Sequence, residues 1–172
     1  SNYDVMFLKH KLRIMPFSKL KCEIFEHQTL MLESNKLLPG DSEDFYAFVK
    51  RNINSCQIPI PATTDVVMAG LSSTKKWVQQ KKQEQEDGKS AFVLVRNRLN
   101  REIILSISVF GFDWRVPKCE MAWMLDSQYE GLGLATRVAG VCINNLLNDM
   151  GLNKIICRIE PENHRSKQLA LR

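Results

Sequence analysis

The sequence predicts a mixed α/β domain. Three observations support this: the composition, the order of strand-like and helix-like segments, and a glycine-containing turn between a strand and a helix. The chain has 172 residues, of which 44% are hydrophobic and 25% charged, which is typical of one globular domain. No apolar run is long enough to span a bilayer. Alternating and helically spaced apolar residues occur in the order β-α-α-β-β-β-α-β-α, and that order favours a sheet flanked by helices.

The N-terminal half contributes one strand and two helices. The first helix is capped by Asp41 or Ser42 and places Phe45, Phe48 and Val49 on one face. The segment after it contains two prolines and is predicted as a loop. The second helix is polar nearly all round, as expected for an exposed helix. The predicted ranges are 27–34 (strand), 38–53 (helix), 53–65 (loop) and 73–89 (helix).

The C-terminal half begins with two apolar, β-branched runs separated by a short polar segment, which predicts a hairpin. A third strand leads into the glycine turn and a long helix with an apolar stripe, for which Gly151 is the predicted stop. A strand and the start of a last helix follow. Leu169, Ala170 and Leu171 give that helix an apolar face, from which we expect C-terminal strands that this sequence does not contain. The predicted ranges are 90–97, 101–110 and 119–126 (strands), 134–150 (helix), 154–160 (strand) and 161–172 (helix).

Charge and cysteine content limit the classes of partner. The net charge is +5, and most of the excess lies before residue 23, where five basic residues stand against one acidic residue. We interpret residues 1–24 as a basic N-terminal extension, a solvated tail in preference to an RNA-binding one, and expect no direct nucleic-acid readout. The five cysteines are odd in number and lack a CxxC spacing, which favours a reducing, cytoplasmic compartment. The histidines are not spaced as a metal pair, and neither a metal site nor a membrane partner is expected.

The glycine turn, QYEGLGLA at residues 128–135, is the main functional signal. Glycines between a strand and a helix let backbone amides approach an anion at the helix N-terminus, although a plain turn that requires glycine is an equal alternative from these residues alone. A P-loop is excluded because no Gly-Lys-Ser/Thr follows Gly133. The dinucleotide fingerprint is disfavoured because Thr136 replaces its third small residue and too little chain follows for a doubly wound sheet.

The glycine turn fits a third motif better than it fits the P-loop or the dinucleotide fingerprint. Gln128, Gly131 and Gly133 form QxxGxG, which resembles the coenzyme A motif of the GNAT acetyltransferases, and Asn163 and Ser166 supply an Asn-x-x-Ser further on. Strand, turn, helix, strand and Asn-x-x-Ser occur in the order typical of the RimJ/RimL-type branch. The resemblance is strong over 102–172 and looser over 28–101. It implies a GNAT acetyltransferase domain at 25–172, with a mostly antiparallel central sheet that is splayed between the strands on either side of the QxxGxG helix.

The resemblance also implies a set of site residues. The loop would bind the pyrophosphate of acetyl-CoA, the backbone of Met124 and Leu125 would hold the pantetheine arm, and Asn163 would contact the coenzyme. Ser166 would donate a proton to the departing thiolate, and the alternative for this serine is a helix-terminal residue that satisfies local amides. Glu120 would be the general base, and the alternative is a solvated charge at a strand edge. The coenzyme-binding residues so implied are Met124, Leu125, Gln128, Gly131, Leu132, Gly133, Leu134, Ala135, Asn163 and Ser166.

The function implied is acetyl transfer from acetyl-CoA directly to a primary amine, with a protein N-terminal α-amine of the ribosomal-protein type as the first expectation. A small-molecule amine such as an aminoglycoside or a polyamine is one alternative. A module that binds coenzyme A without catalysis is another. The expected partners are therefore acetyl-CoA and a protein or peptide N-terminus, and a homodimer stays open.

Overall fold

The computed structural model describes residues 24–27, 30–54, 61–159 and 164–171. These residues build a six-stranded sheet whose strands are adjacent in chain order. Every neighbouring pair is antiparallel except the last, β5 with β6, which is parallel. The fold is therefore the mixed, mostly antiparallel α/β arrangement that the sequence predicts. The strands are β1 (Ile24–His27), β2 (Leu30–Lys36), β3 (Ala91–Asn97), β4 (Ile103–Asp113), β5 (Lys118–Leu125) and β6 (Lys154–Ile156).

Helices cover both faces of this sheet. A short 3-10 turn at Pro39–Asp41 precedes the first helix, and another at Ser127–Tyr129 begins the glycine turn. A π-helical turn at Asn145–Asp149 extends the fourth helix. The helices are α1 (Ser42–Asn52), α2 (Pro61–Met68), α3 (Leu71–Glu86), α4 (Leu134–Asn144) and α5 (His164–Ala170).

Two apolar clusters fix the helices on opposite faces because side chains alternate along each strand. On one face, Val138 and Cys142 of α4 pack with β-strand residues that include Ile107 and Met121. On the other face, α1 and α3 pack on Phe92, Leu94 and Met124. Trp77 of α3 stacks on Phe45 of α1, with ring centroids 5.3 Å apart. The predicted stripe on α1 is confirmed, since its members Phe45, Phe48 and Val49 are all buried.

Several predicted boundaries are wrong. The single N-terminal strand is a hairpin, β1 and β2. The proline-containing loop gives way to α2 at Pro61, because proline lacks only an amide that the first helical turn would leave unbonded anyway. The strand predicted over 154–160 ends at Ile156. On the predicted apolar face of the last helix, Leu169 packs against the cluster that includes Val138 and Cys142 of α4, whereas Leu171 is exposed. The helix stop is confirmed: Gly151 has φ +72°.

The sheet opens between β5 and β6. These strands pair only through Lys118–Glu120 of β5 and Lys154–Ile156 of β6. From there β5 continues to Leu125 along β4 alone, while residues 157–159 leave the strand conformation. Within the described residues, the last part of β5 therefore has one edge without a strand partner, directly before the glycine loop. A helix that could span a membrane is not found among the described residues.

Candidate active site

The two loop glycines are required by backbone conformation. Gly131 has φ +78° and Gly133 has φ +72°, in the left-handed region that residues with a Cβ avoid. A Cβ built at either position would have no atom within 4 Å, so neither glycine serves tight packing. The space beside the loop is open, and the backbone there is accessible to a ligand.

Helix α4 presents unbonded amides at this point. Gly133 is its N-cap and supplies no side-chain hydrogen bond. The first intrahelical bond runs from the amide of Arg137 to the carbonyl of Gly133, at 3.1 Å. The amides of Leu134, Ala135 and Thr136 therefore have no acceptor within the helix. The side chains of Leu134 and Ala135 are buried and anchor the helix end, where the free amides carry the positive end of the helix dipole.

A buried carboxylate fixes the segment that leads into the loop, and sequence reasoning missed it. Asp126 follows β5 and is 2% exposed. Its Oδ1 accepts from the amide of Gln128 at 3.0 Å, and its Oδ2 accepts from Nε of Arg51 at 2.6 Å. A polar residue directly after an apolar strand was the signal available, but its partner on α1 lies 75 positions away.

The free edge of β5 distinguishes between the two residues predicted to hold the pantetheine arm. The amide of Asp126 donates to the carbonyl of Ile104 at 2.8 Å, which makes Leu105 and Leu125 a non-hydrogen-bonded pair of the antiparallel ladder. The backbone groups of Leu125 consequently point away from β4, toward the opening. Those of Met124 point toward its partner on β4, Ser106. The geometry favours Leu125.

Helix α5 lies beside the loop. Arg165 forms an ion pair with Glu130, which directly precedes Gly131. Ser166 is the next residue of the helix and is half-buried, so the predicted proton donor and the predicted coenzyme loop occupy neighbouring positions. Asn163 lies outside the described residues.

Glu120 lies at the last paired position before β5 and β6 diverge, opposite Ile156. Its carboxylate forms a bidentate pair with Arg158, at 2.8 Å and 3.1 Å. The hydrogen bonds from Arg158 lower the pKa of Glu120, so the carboxylate is ionised at neutral pH and is a weaker base than an isolated glutamate.

Two cysteines flank the same divergence. Cys119 is a buried residue of β5, and burial raises the pKa of its thiol to about 12. Cys157 follows β6 at the opening and is half-buried, and burial raises its pKa as well. Both thiols are therefore protonated at neutral pH.

The surface of β4 and β5 next to this divergence is only partly covered. Ser108 pairs with Ala122, and Phe110 pairs with Glu120, on the sheet face that α1 and α3 cover further along. Ser108 and Ala122 are small and half-buried, and Phe110 is 39% exposed. We call these four residues, Ser108, Phe110, Glu120 and Ala122, the open patch.

The site can be compared with known proteins. The sequence matches the acetyltransferase (GNAT) domain over residues 36–172. No curated protein sequence matches the chain.

Solved structures share the fold at low sequence identity. The ribosomal-protein-S5-alanine acetyltransferase from Vibrio fischeri is 17% identical over 87% of this chain and 80% of its own, with a TM-score of 0.72. Mycobacterium smegmatis RimJ in complex with CoA-disulfide is 12% identical over 87% of this chain and 72% of its own, with a TM-score of 0.73. The microcin C7 self-immunity acetyltransferase MccE in complex with acetyl-CoA and AMP is 17% identical over 81% and 76%, with a TM-score of 0.68.

Proposed function

Because this chain belongs to the GNAT acetyltransferase family and uses acetyl-CoA, we propose that it acetylates a primary amine and that its acceptor is the α-amine of a protein N-terminus, of the ribosomal-protein type. The proposal depends above all on one observation. Two left-handed glycines at the bare N-terminus of α4 border the place where β5 and β6 diverge. An anion binds at the first feature, and an extended chain fits the second.

The coenzyme loop, which we define as residues 128–135, would hold the pyrophosphate. The open space beside Gly131 and Gly133 lets phosphate oxygens approach the amides of Gly131, Gly133, Leu134 and Ala135. Gln128 and Leu132 would flank the bound group. The residues present thus fit the coenzyme, which supplies the acetyl group as an activated thioester.

The free edge of β5 would orient the acyl donor. Leu125 has its amide and carbonyl directed into the opening, where they can bond the amide groups of an extended pantetheine arm. Met124 then contributes through its buried side chain, which keeps β5 in place against α1 and α3. An amide at this edge would stabilise the negative charge that develops on the carbonyl oxygen during attack.

Two side chains are proposed for the proton steps. The hydroxyl of Ser166 would donate to the thiolate as the carbon–sulfur bond breaks, and the ion pair between Arg165 and Glu130 supports its position next to the loop. Glu120 would act on the amine. Because Arg158 lowers its pKa, its carboxylate is ionised at neutral pH and would take the proton that the amine loses on attack, directly or through water, while Ser166 regains its proton from solvent. Asn163 remains a proposed coenzyme contact.

The open patch would receive the acceptor. It places the Glu120 carboxylate beside small side chains and an exposed Phe110, so a short extended peptide can lie there with its amine directed at the divergence. The likeness in fold to a ribosomal-protein-S5-alanine acetyltransferase supports a protein acceptor. A likeness in fold to a spermidine N-acetyltransferase supports a small-molecule amine as the second candidate.

The experiment is an acetylation screen by mass spectrometry with acetyl-CoA and a panel of amines. The panel holds peptides that begin with ribosomal-protein N-terminal sequences, the same peptides with a blocked N-terminus and one internal lysine, a polyamine and an aminoglycoside. We expect acetylation of free α-amines and none of the blocked peptides. Turnover of the polyamine or aminoglycoside alone would replace the acceptor assignment with a small molecule. Acetyl-CoA binding without turnover on any amine would indicate a non-catalytic module.

A further inference from the structure

The carboxylate of Asp126 attaches the start of the coenzyme loop to the rest of the domain. It lies one residue beyond β5, and both of its oxygens are used. Oδ1 accepts from the amide of Gln128 at 3.0 Å, while Oδ2 accepts from Arg51 at 2.6 Å and from Nδ2 of Asn52 at 3.3 Å. With 2% of the residue exposed, the carboxylate is not available to a ligand.

The two α1 residues that bond Asp126 are themselves held in place. Asn52 is buried, its Nδ2 donates to the carbonyl of Phe48 at 2.8 Å, and its Oδ1 accepts from the amide of Ser127 at 3.0 Å. Arg51 also donates to the carbonyl of Ile103 at 2.6 Å. The amides of both Ser127 and Gln128 are therefore bonded to side chains that are fixed to α1 and β4.

We propose that Asp126 and Asn52 are positioning residues for the coenzyme loop, Asp126 through the amide of Gln128 and Asn52 through the amide of Ser127, and that Arg51 acts through Asp126. The inference rests on the assignment of residues 128–135 as the pyrophosphate site. Amides at a helix N-terminus bind an anion well only when their directions are set before binding, and the backbone at Gln128 begins the turn that sets them. Tyr129 adds a second attachment, since its hydroxyl accepts from Nδ2 of Asn97 at 3.2 Å.

The chain offers a matched control at the other end of α1. Asp41 is a buried aspartate paired with an arginine, Arg96, at 2.7 Å, and it also accepts from the amide of Leu38 at 2.8 Å. This pair likewise joins the start of α1 to the sheet, and the hydrogen bonds described for Asp41 and Arg96 run to Leu38, Asp44 and Arg101, at the end of α1 opposite to Arg51 and Asn52. Loss of its charge therefore reports the stability effect alone.

The test compares Asp126→Asn with Asp41→Asn in the full chain. An asparagine at 126 turns its NH2 group either toward Arg51 and Asn52 or toward the amide of Gln128, so a donor faces a donor in both orientations. We expect both variants to have a lower thermal midpoint. Only Asp126→Asn should weaken acetyl-CoA binding in calorimetry below that midpoint, by about tenfold or more, since hydrogen bonds to a charged group are involved. In turnover assays its KM for acetyl-CoA should rise while its KM for the amine does not.

An unchanged dissociation constant for Asp126→Asn would overturn the inference, as would an equal loss of affinity in Asp41→Asn. If Asp126→Asn does not fold, Asn52→Ala replaces it, because that change removes the bond to Ser127 and one bond to Asp126 but keeps the ion pair with Arg51. A weaker affinity supports the inference, and a wild-type affinity overturns it. If the assignment of residues 128–135 as the pyrophosphate site is wrong, either the wild-type protein does not bind acetyl-CoA or Gly133→Glu binds it normally. Neither result is expected from failure of the Asp126 proposal alone.

Discussion

Gly133→Ala tests the conformational role of the coenzyme loop. At φ +72° an alanine is disfavoured by about 1–2 kcal/mol, and its smaller backbone entropy in the unfolded chain offsets about 0.4–1 kcal/mol of that. Because a Cβ at this position would have no atom within 4 Å, no steric term adds to the cost. The expected loss in the free energy of unfolding is therefore about 1 kcal/mol.

Gly140→Ala is the matched control. Gly140 lies within α4, has an ordinary helical conformation and also leaves open space for a Cβ. Alanine there should stabilise the protein by up to about 1 kcal/mol, since glycine is the poorer helix former. In a protein of this size 1 kcal/mol shifts the thermal midpoint by about 2–4 °C, so the two variants should differ by roughly 4–8 °C.

Thermal unfolding measures the stability of both variants, and calorimetric titration measures their affinity for acetyl-CoA. We expect Gly133→Ala to lower both the midpoint and the affinity, because a loop relaxed to negative φ turns its amides away from the anion. Gly140→Ala should raise the midpoint and keep wild-type affinity. If Gly133→Ala binds acetyl-CoA as tightly as wild type at a lowered midpoint, the glycine serves only the turn. If the midpoint does not fall, the left-handed conformation itself is refuted.

Three further predictions concern the proton steps and the opening. Ser166→Ala should lower kcat more than it raises the dissociation constant of acetyl-CoA; an unchanged kcat would make the serine structural. If Glu120 acts on the amine, kcat/KM has a second acid limb at lower pH than the limb set by protonation of the amine itself. That second limb moves to higher pH in Arg158→Gln, since removal of the arginine raises the pKa of Glu120; a limb that stays in place argues against this role. In peptide mapping after alkylation near pH 8, Cys157 should react slowly and be protected by acetyl-CoA. Cys119 should stay unmodified because its pKa is about 12. Equal labelling of Cys157 with and without acetyl-CoA would place it away from the coenzyme.

The sequence predicted the elements that carry their own local signal. The stripe of Phe45, Phe48 and Val49 has helical spacing, and these residues are buried on one face of α1. The β3–β4 hairpin follows from two β-branched runs with a polar break. The left-handed conformation at Gly131 and Gly133 explains why glycine occurs directly before α4. In each case the deciding interaction spans only a few residues, and a pattern in the sequence records it.

Contacts between distant residues left no such pattern. Arg51 and Asp126 are 75 positions apart, and Glu120 and Arg158 are 38 apart, so neither pair is visible from spacing. Arg96 was the clearest sign in the sequence of a distant ion pair, because a charged residue within the apolar run of β3 must find a partner if it is buried. Its partners, Asp41 and Asp44, lie 55 and 52 positions away at the start of α1. Pro61 was misleading because a proline can either end a helix or begin one.

The distant pairs also determine the electrostatics of the coenzyme loop. Two carboxylates, Asp126 and Glu130, flank its start and would repel a pyrophosphate if they were uncompensated. Each is paired with an arginine from another element, Arg51 of α1 and Arg165 of α5. With both charges neutralised, the amides and dipole of α4 determine the local field, which then favours an anion. The same two ion pairs fix the loop between α1 and α5, so the contacts that permit anion binding are also those that set its geometry.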